Sequence, residues 1–247
     1  MDAETQKAVA PTGRLRVGIA VGTAISATWA KHDPKTGQPM GPTVDLANIF
    51  AQRTGLPLAL IEYGSSGEII QSVSTGGWDI SFTPVDAERK AVVDFGPTFA
   101  LSESTYMVPR GSSARRIEDV DHAGTRVFGV ENTATIRSAR SSLNHTKVTG
   151  LTRLDEVLAR FRDGEADAIA LGKESLLSLL PDFPGARILD GHFLSTGTAL
   201  AVPRGNTAAL EVFGTLLEEL KADGTVRKIL DNYGMTGSAV APPGLRS

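Results

Sequence analysis

The feature that most constrains the fold is an alternation, along 247 residues, of short β-branched runs with amphipathic runs closed by Gly or a cap residue. That rhythm predicts α/β architecture with largely parallel sheets. Residues 15–21 read as a first strand, and residues 23–41, with His32-Asp33-Pro34 and Thr36-Gly37, as a loop or small hairpin. Thr43 is placed to N-cap a helix over 44–53 that buries Leu46, Ala47, Ile49 and Phe50 and stops at Gly55. Residues 57–63 read as a second strand, Ser66 as the cap of a short helix, and 78–82 as a strand entered from Gly76-Gly77. The second half repeats the pattern: strand 126–130, helix 133–142, helix 155–162 stopped by Gly164, buried strand 167–171, and a helix through Leu176, Leu177 and Leu180. Closing helices are expected over about 207–222 and 225–233, and the polar residues 1–13 and the Gly/Pro-rich residues 237–247 as flexible termini.

One internal echo stands out. Ser104-Thr105-Tyr106-Met107-Val108-Pro109-Arg110-Gly111 returns about 94 residues later as Thr198-Ala199-Leu200-Ala201-Val202-Pro203-Arg204-Gly205. It reads either as a coincidence of strand exits or as two segments crossing between lobes. In the second case residues 14–108 and 198–236 form one lobe and 109–197 the other.

Composition narrows the function. The net charge is -3, which offers no overall attraction to nucleic acid or anionic membranes. No Cys is present, and the four His, at 32, 122, 145 and 192, show no metal-ligand spacing. Residues 1–13 carry no apolar signal-peptide core, and the charge-free stretch 17–30 is too short and too polar to span a bilayer. The chain is expected to be soluble: cytosolic, or the mature part of an exported protein. No dinucleotide-binding G-x-G-x-x-G, phosphate-binding loop or nucleophile elbow occurs.

Two places invite an anion. Arg89 lies just past the strand 78–82, where ligands of open α/β sheets collect, and could grip a carboxylate through two parallel bonds. On the residues alone it reads more simply as a solvated Arg at the start of a short helix. Ser81 and Thr83 on the same turn could add hydroxyls. Glu131-Asn132-Thr133-Ala134-Thr135 opens a helix after a strand, so its free N–H groups either bind an anion or are simply capped by Asn132 or Thr133. Trp29, in a loop with Lys31 and His32, could cover a ligand or pack at the surface.

The order of segments resembles the family 3 extracellular solute-binding proteins, receptors of polar amino-acid ABC importers, over about residues 14–235. The residues that carry the resemblance are Leu15-Arg16-Val17-Gly18, Gly41-Pro42-Thr43-Val44-Asp45-Leu46-Ala47, Gly76-Gly77-Trp78-Asp79-Ile80 and Asp86-Ala87-Glu88-Arg89-Lys90. Val93-Asp94-Phe95-Gly96, Ile117-Glu118-Asp119-Val120, Gly129-Val130, the stretch 164–168 and Leu220-Lys221-Ala222-Asp223-Gly224-Thr225 continue it.

The resemblance implies a type II periplasmic-binding fold: two lobes, two mixed sheets and a two-strand hinge, closing on a small carboxylate-bearing ligand in the cleft. By match, Arg89 binds the carboxylate with help from Ser81 and Thr83, and Ala134 and Thr135 present the second lobe's helix N-terminus to it. An ABC permease is the implied partner, the periplasm the implied site of action, with the cytoplasm as the alternative. A monomer with no nucleic acid, cofactor or metal is expected. Two departures stand out. The stretch from Asp79 to Arg89 is about two residues short, and Gly172 stands where the family carries an Asp that binds an α-ammonium. Glu131 or Glu174 substitutes for that charge, or the ligand has no ammonium. A cyclohexadienyl-dehydratase-like enzyme on the same scaffold and a cytosolic effector-sensing domain are the rival readings.

Overall fold

The structure, a computed structural model, describes residues 2–22, 25–131 and 133–246. Thr23, at the start of the expected loop, and Asn132, one of the two expected caps, lie outside the described residues. The chain falls into two compact units, one made of residues up to 101 together with those from 196 onward, the other of residues 102–195.

The first unit opens with α1 (Ala3–Val9), β1 (Leu15–Val21), the hairpin β2 (Trp29–His32) and β3 (Pro39–Met40), and α2 (Pro42–Thr54). Next come β4 (Leu58–Tyr63), α3 (Ser66–Gln71), β5 (Ile80–Pro84), α4 (Ala87–Lys90) and β6 (Val93–Val108). β6 crosses into the second unit, which holds β7 (Arg126–Val130), α5 (Ala134–Ser142), β8 (Lys147–Leu151), α6 (Leu154–Arg162), β9 (Ala168–Gly172), α7 (Lys173–Leu179) and β10 (Arg187–Ile188). β11 (Leu194–Pro203) returns the chain to the first unit, completed by α8 (Thr207–Ala222), α9 (Thr225–Asn232) and β12 (Ala239–Val240).

Both units use one plan. In the first, β1 runs parallel to β4 and β5, and β11 adds antiparallel to β5. In the second, β7 runs parallel to β8 and β9, and β6 adds antiparallel to β9. The register coincides as well. Thr198 pairs with Pro84 and Ala201 with Ser81, while Ser104 pairs with Gly172 and Met107 with Ile169. Pro84 and Gly172 each lie five residues beyond an Asp, Asp79 and Asp167. The sequence echo is therefore a structural equivalence. Its two copies are the antiparallel strands of the two sheets, each just beyond the place where the chain changes unit.

Alternation along these strands fills a layer on each face. In the first unit Phe50 stacks on Phe213 at 5.2 Å and Phe82 meets Phe99 edge-on at 5.6 Å, while Trp78, Ile69 and Ala20 pack on the other side. In the second, Tyr106, Ile136 and Val148 form one layer and Met107, Val157, Phe161 and Ile169 the other. Adjacent β6 residues Tyr106 and Met107 thus serve opposite layers, as a period of two requires.

Local corrections have local causes. α2 begins at Pro42, which has no N–H to satisfy, and Gly41 rather than Thr43 is its cap. Gly41 sits at φ +150°, where a Cβ would come within 3.1 Å of Ala30 Cα. α3 is capped by Ser65, whose Oγ accepts from the Glu68 amide, not by Ser66. The strand expected at 78–82 starts at Ile80, because Trp78 and Asp79 are drawn into side-chain bonds below it. The termini are built in. Val9 and Ala10 of the first thirteen residues are buried. β12 pairs with Leu101 and Ala100, and the Lys221 ammonium donates to Pro242 O at 2.9 Å. No helix among the described residues is long and apolar enough to cross a membrane.

Candidate functional site

In the first unit the C-terminal end of β5 feeds α4, and Asp86 caps that helix by accepting the Arg89 amide at 2.8 Å. The Arg89 guanidinium folds back under this turn. Nη1 donates to Pro84 O at 2.8 Å, Nη2 to Ser66 Oγ at 3.0 Å, and Nε lies 3.2 Å from Asp86 Oδ2. Only 18% of the side chain is exposed, yet a guanidinium has five N–H donors, so the fork retains capacity for another acceptor. It lines a groove of about 640 Å³ with Gly67, Gln71, Asp86 and Val92.

Ser81 and Thr83, two residues apart on β5, are both fully buried and differ in what their hydroxyls do. Ser81 Oγ donates to Gly18 O at 2.7 Å and is spent inside the sheet. Thr83 Oγ1 has no hydrogen-bond partner. Trp29 is half-buried on β2, its ring lying over Gly22, where a Cβ would come within 2.8 Å of it. Next to it, the buried hydroxyls of Thr28 and Thr198 bond to each other at 3.1 Å.

In the second unit α5 is capped by Thr133, whose Oγ1 accepts from the Ile136 amide at 3.1 Å and donates to Val130 O at 2.8 Å. Ala134 is exposed in the first turn, where helix amides have no intrahelical partner. Thr135 Oγ1 bonds Ser104 Oγ at 3.0 Å, joining α5 to β6 beside the end of β9. Glu131 is turned toward Arg140, in two parallel bonds of 2.9 and 2.7 Å that hold the guanidinium pKa above its ordinary value. This pair depends on Gly150, since a Cβ there would collide with the Glu131 carboxylate.

Gly172 ends β9 and caps α7 without a side chain; a Cβ placed on it meets nothing within 4 Å. The next residue, Lys173, donates to Glu103 Oε2 at 2.9 Å, and His192 Nδ1 lies 3.3 Å from Glu103 Oε1. Glu174 Oε1 is buried with no partner. Sequence reasoning missed the Glu103–Lys173–His192 cluster and the Glu131–Arg140 pair. The first joins residues 70 apart in sequence, and only the cross-strand register brings Glu103 beside Lys173; the second spans nine residues, at a spacing that no single helical turn brings together.

Comparisons with known proteins agree with this plan. Residues 19–236 match the bacterial extracellular solute-binding proteins, family 3. The ABC transporter glutamine-binding protein GlnH of Bacillus subtilis (strain 168) is 20% identical over 234 residues, 93% of this chain and 84% of that protein. Among solved structures, the second substrate-binding domain of an amino-acid ABC transporter from Streptococcus pneumoniae is similar with a TM-score of 0.72 at 21% identity, covering 89% of this chain and 99% of that one. An ancestral cationic amino-acid solute-binding protein gives 0.69 at 22% identity, covering 94% and 99%. The fold is the α/β type II periplasmic-binding fold, and the chain belongs to the family 3 bacterial extracellular solute-binding proteins.

Proposed function

We propose that this chain is the solute receptor of an ABC importer. It takes a small carboxylate-bearing solute, an amino acid or a related organic acid, outside the cytoplasm and passes it to a membrane permease without chemical change. The observation that carries the reading is the family match across residues 19–236. Arg89 is the proposed partner of the carboxylate. Its guanidinium is part-buried and fixed by three internal partners, so little conformational freedom remains to be lost on binding. The unpartnered hydroxyl of Thr83, the first-turn amides of Ala134 and Thr135, and the Trp29 ring are the proposed auxiliary contacts.

The relatives' names place L-amino acids first among solutes to test. Calorimetric titration of L-amino acids and their des-amino carboxylic acids should find a solute of high affinity. Arg89→Ala should weaken it by about 30-fold or more. Arg160→Ala, a surface change at the Glu165 pair, should leave it within about threefold. Tight binding that survives Arg89→Ala would remove the carboxylate from that residue. The absence of any binding across both series would overturn the reading.

A further inference from the structure

The second unit holds a cavity that the proposed solute contacts do not use. It has a volume of about 330 Å³ and lies at the C-terminal end of α5, the end away from Thr133 and Ala134. That size is in the range that takes a small molecule. Its apolar walls are Tyr106, Phe193 with its ring 4.6 Å from that of Tyr106, Ile117 and Leu143. Phe193, Ile117 and Leu143 are only partly buried, packed on the core of this unit from its edge.

Tyr106 is 1% exposed, yet its hydroxyl has no hydrogen-bond partner. A buried polar atom left in that state calls for an explanation. Ser142, beside it, gives its own proton to Ala139 O at 3.1 Å. Burial first, and the Asp121 charge after it, keep the phenol protonated. Ser142 and Asp121 both border the cavity and both act on this hydroxyl, so it stands on the cavity side of the ring.

The charge around the cavity has one sign. Asp121 Oδ2 accepts the Asn144 amide at 2.9 Å and Oδ1 the His145 amide at 2.7 Å. These bonds, that of Asn144 foremost, hold its pKa below the usual 3.8 and fix the carboxylate in place. A carboxylate offers about four acceptor positions, so it keeps capacity for another donor. Glu118 is a second acid on the rim, and the last carbonyls of α5 add partial negative charge. Among the described residues that line the cavity, none is Lys, Arg or His. An anion is repelled here, whereas a cation with an apolar body matches each part.

We propose that this cavity is a second binding site, and that its ligand is a small amphipathic amine. The ammonium donates to the Asp121 carboxylate and to the Tyr106 hydroxyl oxygen, and the apolar body lies against Phe193, Ile117 and Leu143. The proposal does not rest on the receptor function: every residue it uses lies within the second unit, and none is a proposed contact of the solute.

The test follows backbone amide chemical shifts of the solute-free full chain during titration with 2-phenylethylamine, 2-phenylethanol and 3-phenylpropionate. The three probes share an aromatic body and differ in charge. The amine should give saturable shifts centred on Tyr106, Ile117, Asp121, Leu143 and Phe193. The alcohol should bind at least about threefold more weakly, and the acid should not bind at this place. Tyr106→Phe should weaken the amine by about threefold to tenfold and should melt no lower than wild type, because it removes only an unsatisfied hydroxyl. Equal affinity for amine and alcohol, or binding of the acid in this cavity, overturns the proposal. So does unchanged amine affinity in Tyr106→Phe, or a lowered melting temperature, which would make the hydroxyl structural. Shifts centred on Arg89 instead, or no saturable shift with any probe up to about 10 mM, overturn it and leave the receptor function standing.

Discussion

Each unit clamps the start of its central strand in the same way, and the two clamps differ mainly in depth. In the first, Arg16 donates from its backbone and Nε to Asp79 Oδ2 and from Nη2 to Oδ1, with Nη1 reaching Gly76 O at 2.7 Å. In the second, Arg126 makes the matching bonds to Asp167 and reaches Gly164 O at 2.9 Å. Each Asp amide returns a bond to its Arg carbonyl, at 2.8 and 2.9 Å. The Asp79 side chain is 2% exposed and that of Asp167 is 42% exposed. Trp78, fully buried beside Asp79, is replaced by the small Ala166 beside Asp167. The comparison separates geometry from environment: identical bonding should be worth very different amounts.

Breaking the buried clamp should have the largest effect. Asp79→Ala leaves the part-buried Arg16 guanidinium and the Arg16 amide without their carboxylate, and denaturant unfolding should record a loss of about 3 kcal/mol. Intermediate in size is Gly150→Ala. Gly150 pairs with Gly129 as Glu62 pairs with Ile19 in the first unit. A Cβ there would push Glu131 off Arg140 and come within 2.9 Å of Ile136 Cδ1, at a cost of about 1–2 kcal/mol by the same measurement. Equal tolerance of both changes would erase the distinction between a buried and a half-exposed pair.

Asp167→Ala should cost about a quarter of the Asp79 effect or less. Its pH dependence has a defined sign. Chiefly through its bonds with Arg126, Asp167 has a pKa below the usual 3.8 in the folded chain. Its contribution is therefore present above that value and is lost as pH falls through the folded pKa. Wild type and Asp167→Ala should converge in stability below about pH 4.

The smallest effect lies at high pH. Burial pushes the Tyr106 hydroxyl of the second unit up to about 12, and burial followed by the Asp45 charge does the same for Tyr233 of the first. A raised folded pKa stabilises the protonated form, so this contribution is complete below the unfolded value of about 10 and fades as pH rises through about 12. Tyrosinate absorbance should rise late for these two residues, and Tyr106→Phe and Tyr233→Phe should each remove one late-titrating group. Titration of both near 10 would contradict the burial.

Much of the fold was legible because the relevant signals are local. β7 and the ends of α6 and α8 follow from periodicity, Gly stops and charge placement, and Arg126–Val130 falls where the alternation put it. The clamps were half legible: Gly76-Gly77-Trp78-Asp79 and Gly164-Glu165-Ala166-Asp167 share a G-x-x-D spacing. Nothing local says that each Asp reaches an Arg at 16 or 126. The C-terminal tail was misread because its Pro and Gly content is that of a loop. What orders it is the pairing of β12 with β6 together with Lys221, a residue type normally exposed, here with a side chain 2% exposed between Glu218 and the Pro242 carbonyl. At the candidate site, residue types pointed to Arg89, Glu131 and Glu174 alike. Pairing set them apart, and pairing is a property of the folded chain.

The discontinuity of the first unit has a consequence for the order of biosynthesis. The second unit is one uninterrupted stretch and has all its strands and helices once residue 195 has left the ribosome. The first, although it begins sooner, still lacks the strand that covers the edge of β5 and the Phe213 ring that stacks on Phe50. The part made first must therefore wait, with an open sheet edge and an uncovered aromatic layer, for the part made last. An early chain terminus anywhere within α8 would leave a finished second unit attached to a first unit unable to close its core.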